Sequence, residues 1–188
     1  MCDLYSKLVV VSGPSGAGKD TVVAKLLEKD SDISLSVSAT TRAPRGNEQN
    51  GVEYYFLSVE EFLEKVDNEG FIEHEQYGAN HYGTLKSDVE KRLSDGKTVI
   101  LVIEVKGAAN IKKMYPESLS IFIMPPSLDV LESRLRGRQT ESEADIQKRL
   151  GIAADEMRRS VDYDFIVVND TLDDAVNDAY NIIKNHSK

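Results

Sequence analysis

Apolar runs and amphipathic segments alternate along the chain from residue 7 to residue 185. Uninterrupted or alternating runs of Val, Ile and Leu predict β-strands, whereas apolar residues spaced three and four apart predict helices. Ser58 and Glu61 predict a capping box at one helix start, and Gly70 ends that helix. The predicted strands are 7–12, 33–38, 52–57, 71–75, 80–84, 98–104, 119–124 and 165–168. The predicted helices are 18–29, 59–68, 86–94, 107–115, 128–138, 141–161 and 172–185.

This alternation predicts an α/β fold with a parallel β-sheet core flanked by helices. The strand at 98–104 is strongly apolar, and we expect it at the centre of the sheet. Ligands bind at the carboxyl ends of such strands, so the loops after residues 12, 38, 104 and 168 should converge. The stretch 33–96 is more polar and has short strands of its own, which predicts a mobile insertion over the sheet.

Composition indicates one globular domain over residues 1–188, with 40% hydrophobic and 29% charged residues. No apolar run is long enough to span a membrane, and the N-terminus has no signal-peptide pattern, which predicts a cytoplasmic protein. A single cysteine, Cys2, excludes an internal disulfide and a cysteine metal cluster, and the three histidines have no metal-ligand spacing. The net charge of −9 argues against a nucleic-acid polymer as partner, but an acidic protein can still bind a nucleotide through local arginines.

One loop in this pattern carries a phosphate-binding signature. Strand 7–12 is followed by Gly-x-x-x-x-Gly-Lys and then by a helix, which is the phosphate-binding loop pattern. Its glycines let backbone N–H groups surround an anion, and Lys19 would reach the outer phosphates of a nucleotide. The Ser or Thr that usually follows the lysine and ligates magnesium is Asp20 here, and Thr21 comes one residue too late. The residues expected around the phosphates are Gly13, Pro14, Ser15, Gly16, Ala17, Gly18, Lys19, Asp20 and Thr21.

Two arginines three residues apart indicate a second anion site. Arg42 and Arg45, stiffened by Pro44, form a fork of planar guanidinium groups that suits a phosphate. The surrounding residues read Ser-x-x-Thr-Arg-x-Pro-Arg from residue 38, followed by Glu48, Gly51, Tyr54 and Phe56. This combination resembles the nucleoside-monophosphate region of the guanylate kinase family, phosphate-loop kinases of nucleoside monophosphates, and the resemblance extends over residues 7–185.

The resemblance implies a GMP site in the predicted insertion. It assigns Glu73 and Thr84 to guanine, and the chemistry agrees, because one carboxylate can accept both guanine N1–H and the exocyclic amine. Adenine has no such pair of donors, so Glu73 would discriminate between the bases. Glu104 matches an acid that contacts the guanine amine or water around magnesium, while Val102 replaces the family's other acid at this strand end. The residues implied to hold the GMP phosphate are Ser38, Arg42, Arg45, Tyr54 and Tyr82.

The resemblance also implies a helical lid over the ATP triphosphate. Arg138 and Arg149 match the family's lid arginines, which with Lys19 and Arg42 would stabilise charge on the transferring phosphoryl group. Arg134, one helical turn before Arg138, is placed with the ATP-binding residues. Asn169 resembles the adenine-side contact, with a turn-forming asparagine as the alternative.

The activity implied is phosphorylation of GMP, and also dGMP, by ATP, with Mg²⁺ held mainly by ATP phosphates and water. The corresponding regions would be a core of about 1–32, 97–126 and 161–188, a GMP-binding region of about 33–96 and a lid of about 127–160. One alternative is a ribose 1,5-bisphosphate type of sugar-phosphate kinase, whose loop can also read Gly-Lys-Asp. Another is a non-catalytic binding module of the guanylate-kinase-like kind. The presence of Tyr54, Glu73, Tyr82 and Thr84 favours GMP, and Lys19 favours an enzyme.

Overall fold

The computed structural model describes residues 4–137 and 142–186. Short 3-10 helices lie at Leu4–Lys7 and Arg159–Asp162. The strands are β1 Leu8–Ser12, β2 Ile33–Leu35, β3 Ser38–Thr40, β4 Tyr55–Phe56, β5 Phe71–Tyr77, β6 Asn80–Leu85, β7 Thr98–Val102, β8 Leu119–Met124 and β9 Phe165–Val168. The helices are α1 Lys19–Lys29, α2 Val59–Asp67, α3 Lys86–Ser94, α4 Val105–Met114, α5 Leu128–Gly137, α6 Glu143–Arg158 and α7 Leu172–His186.

Five parallel strands form the core sheet in the order β2-β7-β1-β8-β9. The central strand is β1, whose five residues are all buried, and not the strand at 98–104 that we expected there. That strand is β7, which lies directly beside β1 and ends at Val102. Apart from Ser12 and Thr98, both strands are apolar, because helices cover both faces of the sheet.

Alternate residues of β1 enter two separate hydrophobic cores. Val9 and Val11 pack in the core formed with α1 and α7. Leu8 and Val10 pack in the core formed with α3 and α4. Burying a Val or Leu side chain contributes about 1.5–3 kcal/mol relative to its exposure. These contacts fix β1 firmly and, with it, the start of the loop that follows Ser12.

A second sheet, in the order β4-β3-β6-β5, is built from residues 38–85. The predicted strand 33–38 is wrong as a single strand, because its two ends pair with different sheets. The Ser36 N–H donates to the Ile100 carbonyl at the edge of the core sheet (3.0 Å), and Ser38 then pairs with Thr84. The predicted strand 52–57 is likewise shorter, since the Gly51 N–H donates to the Tyr54 carbonyl in a turn.

Most predicted helices are present within one or two residues of their predicted bounds. The capping box is confirmed: the Glu61 N–H donates to Ser58 Oγ (3.1 Å), and the Ser58 N–H donates to Glu61 Oε2 (2.7 Å). The predicted helix 141–161 is α6, which starts after its N-cap Ser142 and gives way to a 3-10 turn at Arg159. None of the described helices is long and apolar enough to cross a membrane.

Candidate active site

The loop between β1 and α1 folds around the side chain of Lys19. Lys19 Nζ donates to the carbonyls of Gly13 (2.7 Å) and Pro14 (3.1 Å), so the ammonium lies inside the turn. Gly18 precedes α1 with φ of 91°, which places it in the left-handed region. The loop therefore brings together a lysine, three positive-φ glycines (Gly13, Gly16 and Gly18) and a helix N-terminus, an arrangement suited to phosphate oxygens.

Gly13 is required where the loop passes the neighbouring strand β8. A Cβ on Gly13 would lie 2.2 Å from the Ile123 carbonyl oxygen, and its φ is +145°. We expect Gly13→Ala to lower the free energy of unfolding by about 2–5 kcal/mol, since the clash is with backbone and the φ is strained. Urea unfolding measures this. Gly46→Ala is the matched control, with a positive φ of +55° but open space around the Cβ; an equally small effect of both substitutions would contradict the close approach.

Asn169, which follows β9, is hydrogen-bonded to the same loop. Its Nδ2 donates to the Ala17 carbonyl (2.8 Å), and its N–H donates to the Met124 carbonyl (2.8 Å). Arg134 Nη2 in turn donates to the Asn169 carbonyl (2.9 Å). Asn169, which was predicted on the ATP side, therefore holds the backbone of the phosphate loop, and Arg134 holds Asn169.

The pair α5–α6 contacts the phosphate loop directly. Leu131 and Leu135 of α5 form a small core with Ala153 of α6, and a Cβ on Gly16 would lie 3.0–3.1 Å from these two leucines. Arg149 of α6 donates through Nη1 to Ser15 Oγ (3.1 Å). One predicted lid arginine is thus at the loop, while the other, Arg138, lies outside the described residues.

Three carboxylates lie around the phosphate loop, but none belongs to a metal cage. Asp20 is exposed in the first turn of α1, next to the exposed Thr21, and Glu104 is exposed before α4. Glu156, on α6, is half-buried, and this burial raises its pKa, with the nearby Lys19 opposing the rise. Among the described residues, no group of three or more His, Cys, Asp or Glu could hold a metal ion.

The loops after β1, β7 and β9 converge at one edge of the core sheet, as predicted. Ser12 Oγ donates to the Ile103 carbonyl (2.8 Å), which joins the ends of β1 and β7, and Asn169 joins the loop after β9 to the phosphate loop. The prediction for the loop after residue 38 is wrong, because Ser38 begins a strand of the second sheet. Helix α4, which follows β7, contacts β5 and so connects this edge to the second sheet.

Three residues predicted for the acceptor site lie side by side across the second sheet. Ser38 pairs with Thr84 between β3 and β6, and Thr84 pairs with Glu73 between β6 and β5. Thr84 Oγ1 donates to Glu73 Oε1 (2.7 Å), which orients that carboxylate. Glu73 Oε2 lies 3.8 Å from a Cβ built on Gly107, so the start of α4 closes over it.

Burial against α4 raises the pKa of Glu73. The nearby carboxylates of Glu75 and Glu104 add to this rise, and the hydrogen bond from Thr84 opposes it. A buried carboxylate beside like charges is stabilised when a ligand donates hydrogen bonds to it. The site is therefore suited to a ligand with adjacent N–H donors.

The raised pKa of Glu73 predicts a pH-dependent contribution to stability. Because the folded-state pKa lies above the unfolded value, the contribution is full below the unfolded pKa and is lost as pH rises through the folded pKa. At neutral pH, Glu73→Gln should therefore be more stable than the wild type, and the difference should shrink in acid. Thermal melts between neutral and acid pH test this, with Glu64→Gln, an exposed residue of α2, as control. A less stable Glu73→Gln at neutral pH would refute the prediction.

Arg42, Tyr54 and Tyr82 form a second cluster on the same sheet. The Arg42 guanidinium lies 5.2 Å from the Tyr54 ring centre, and the Tyr54 and Tyr82 rings meet edge to face at 6.3 Å. Tyr82 pairs with Thr40 in β3, two residues before Arg42. Arg45 is exposed in the following loop. A guanidinium that packs on the Tyr54 ring and interacts with the Tyr82 hydroxyl is suited to a phosphate group.

Two acidic residues near these clusters were given no role by the sequence. Glu48 pairs with Arg42, and the only sequence signal was its place in the motif that follows the arginines. Glu156 lies near Lys19. The sequence indicated only that Glu156 shares a helix face with the buried Ala153, three residues before it. Neither contact could be inferred from composition or charge.

Comparison with known proteins identifies the family. The guanylate kinase family model matches residues 5–186. A guanylate kinase from Prochlorococcus marinus is 47% identical over 180 residues, covering 96% of this chain and 98% of that protein. One from Synechocystis sp. is 49% identical over 170 residues, covering 90% and 89%. The crystal structure of guanylate kinase from Anaplasma phagocytophilum has a TM-score of 0.74 at 35% identity, covering 96% of this chain and 85% of that chain. The predicted resemblance and α/β fold class are confirmed, and the chain belongs to the guanylate kinase family.

Proposed function

We propose that this protein transfers the γ-phosphoryl group of ATP to GMP, and also to dGMP, giving ADP and the nucleoside diphosphate. The observation that carries the proposal is the oriented, half-buried Glu73 carboxylate in the row Ser38–Thr84–Glu73. Guanine presents N1–H and an amine side by side, which a single carboxylate can accept together. Arg42, Tyr54 and Tyr82, on the same sheet, would hold the GMP phosphate, joined by Arg45.

On the donor side, the loop Gly13–Lys19 would hold the ATP phosphates. Lys19 and Arg149 already lie at this loop, and we propose that they act with Arg42 and Arg138 to neutralise charge during an in-line transfer. Asn169 and Arg134 would support the loop near the nucleoside. Because α5 packs against Gly16, the helical pair would respond to bound phosphate and exclude water, which would otherwise accept the phosphoryl group.

The transfer requires no general base. The attacking group is an oxygen of the GMP phosphate, which is already ionised at neutral pH, and it forms the new P–O bond as the bond from the γ-phosphorus to the ADP oxygen breaks. The protein's contribution is to align the two phosphates and stabilise their charge. Lys19 and the arginines therefore carry the catalysis in this proposal.

Magnesium would be held mainly by the ATP phosphates and by water. Mg²⁺ keeps several waters and is usually bound through one or two carboxylates plus phosphates. The exposed carboxylates of Asp20 and Glu104 suit contacts to its water shell, and Asp20 also lies at a helix N-terminus, where negative charge is favoured. The ion supplies charge neutralisation on the β- and γ-phosphates when bound. We propose the cytoplasm, with its nucleotide pool, as the compartment.

An assay that couples ADP formation to a detectable signal tests the choice of acceptor. GMP and ribose 1,5-bisphosphate are offered in parallel with ATP and magnesium. We expect turnover with GMP, because Glu73 and Thr84 match a base and not a sugar phosphate. Turnover of the sugar alone would favour the sugar-phosphate kinase, and binding of GMP without any turnover would favour a non-catalytic module.

A further inference from the structure

Arg42 is held by an acidic residue of its own loop. Arg42 Nη1 donates to Glu48 Oε2 and Nη2 donates to Glu48 Oε1, both at 3.0 Å, which makes a bidentate pair. The Arg42 side chain is only 10% exposed and that of Glu48 is 23% exposed, so the pair is largely shielded from solvent. The Arg42 guanidinium holds the pKa of the Glu48 carboxyl below its usual range, so Glu48 stays ionised at neutral pH.

The same carboxylate organises the rest of the arginine loop. The Arg45 N–H donates to Glu48 Oε2 (2.7 Å), and the Arg42 N–H donates to Thr40 Oγ1 (3.1 Å). Thr40 is fully buried in β3. Arg42 is therefore anchored at its backbone by the sheet and at its guanidinium by Glu48, with the rings of Tyr54 and Phe56 packed beside it (5.2 and 5.9 Å).

One edge of the Arg42 guanidinium keeps N–H donors that can face a ligand. A guanidinium has five N–H donors in a fixed plane. Nη1 donates to Glu48 and to the Ala43 carbonyl (2.8 Å), and Nη2 donates once to Glu48. The Nε–H and the second Nη2–H remain, and in a planar guanidinium they point in parallel along one edge. The Tyr82 hydroxyl also interacts with this guanidinium. That edge matches two oxygens of a phosphate.

We infer that Glu48 is a positioning residue, which holds Arg42 so that its Nε–Nη2 edge faces the phosphate of GMP. The inference rests on the proposed function, since it takes Arg42 as a ligand of that phosphate. Glu48 touches neither substrate in this arrangement and acts through Arg42. Its negative charge by itself would oppose phosphate binding, so its benefit comes from orientation.

Glu48→Gln tests this inference. Glutamine keeps the size of the side chain and can still accept from the Arg45 N–H, but it loses the charged bidentate pair. We expect KM for GMP to rise about ten- to a hundredfold, because a hydrogen bond to a charged group contributes a free energy that corresponds to about this factor. KM for ATP should stay within about twofold, and binding of guanosine, which lacks the phosphate, should not change. Glu53→Gln is the matched control, since Glu53 is exposed in the same loop and accepts from the Gln49 N–H.

A double-mutant cycle shows whether the effect passes through Arg42. In an Arg42→Ala background, Glu48→Gln should change GMP binding by less than about twofold. The inference is overturned if Glu48→Gln binds GMP as tightly as the wild type or more tightly, or weakens GMP equally in both backgrounds. It is also overturned if guanosine binding falls in parallel with GMP binding, which would show a general loss of structure. A wild-type protein that does not phosphorylate GMP would instead refute the proposed function.

Discussion

Replacing Lys19 with alanine should lower kcat by about a hundred- to a thousandfold, which is the usual effect of removing one donor aimed at developing charge. Lys19 Nζ lies in the turn of the phosphate loop, on the carbonyls of Gly13 and Pro14. It is therefore close to where the outer phosphates of ATP would lie, and it belongs to the loop after β1 and not to the second sheet, which carries Glu73. We expect GMP binding, measured by titration calorimetry, to stay within about twofold of wild type, because Lys19 makes no part of the acceptor site.

Lys25→Ala provides the control for this substitution. Lys25 lies on the same helix, is exposed and pairs with Glu28 (2.6 Å), so its removal should leave kcat unchanged. Thermal melts of both variants separate loss of charge from loss of fold. An unchanged kcat for Lys19→Ala, in a folded protein, would remove the phosphate loop from the catalytic account.

Replacing Glu73 with glutamine should reduce kcat/KM for GMP by about a hundred- to ten-thousandfold, because two guanine donors would lose their acceptor. The side-chain amide of glutamine places N–H groups against guanine N–H groups, although its oxygen can still accept from Thr84 Oγ1. ATP binding should stay close to wild type, since Glu73 lies on β5 and not at the phosphate loop. Steady-state kinetics with varied GMP and separate ATP titrations measure the two effects.

The exposed Glu75→Gln, two residues along the same strand, is the control for the loss of one carboxylate. It should keep kcat/KM for GMP within about twofold of wild type, as surface substitutions away from such sites usually have small effects. If Glu73→Gln weakened ATP and GMP to the same extent, Glu73 would have a structural role. If Glu73→Gln were more stable but much less active than the wild type, the Glu73 carboxylate would serve GMP binding while lowering the free energy of unfolding.

Much of the core could be predicted because its signals are local. The runs that became β8, β9 and α3 have the predicted bounds, since apolar periodicity defines them and Pro125, Asn169-Asp170 and Asp95-Gly96 follow them in turn. The division of 33–38 between two sheets could not be predicted. An alternating strand pattern looks the same whichever sheet it joins, and the partners Ile100 and Thr84 lie far along the chain.

In the candidate site, too, local features could be predicted from the sequence and long-range contacts could not. The spacing of Gly13, Gly18 and Lys19 predicts the phosphate loop, because these residues act within a single turn. The hydrogen bond from Asn169 to Ala17 and the packing of α4 over Glu73 join residues that are far apart in sequence. Glu48 is closer, six residues after Arg42, but a loop has no periodicity from which such a pair can be inferred.

A panel of nucleoside monophosphates with ATP and magnesium tests the central claim most directly. Rates of ADP formation are compared for GMP, dGMP, AMP, CMP and UMP under the same conditions, and the products are identified by chromatography. The account predicts GDP formation from GMP, conversion of dGMP as well, and rates for the other three lower by at least about a hundredfold. Turnover of AMP at the rate of GMP, or no turnover of GMP, would contradict it.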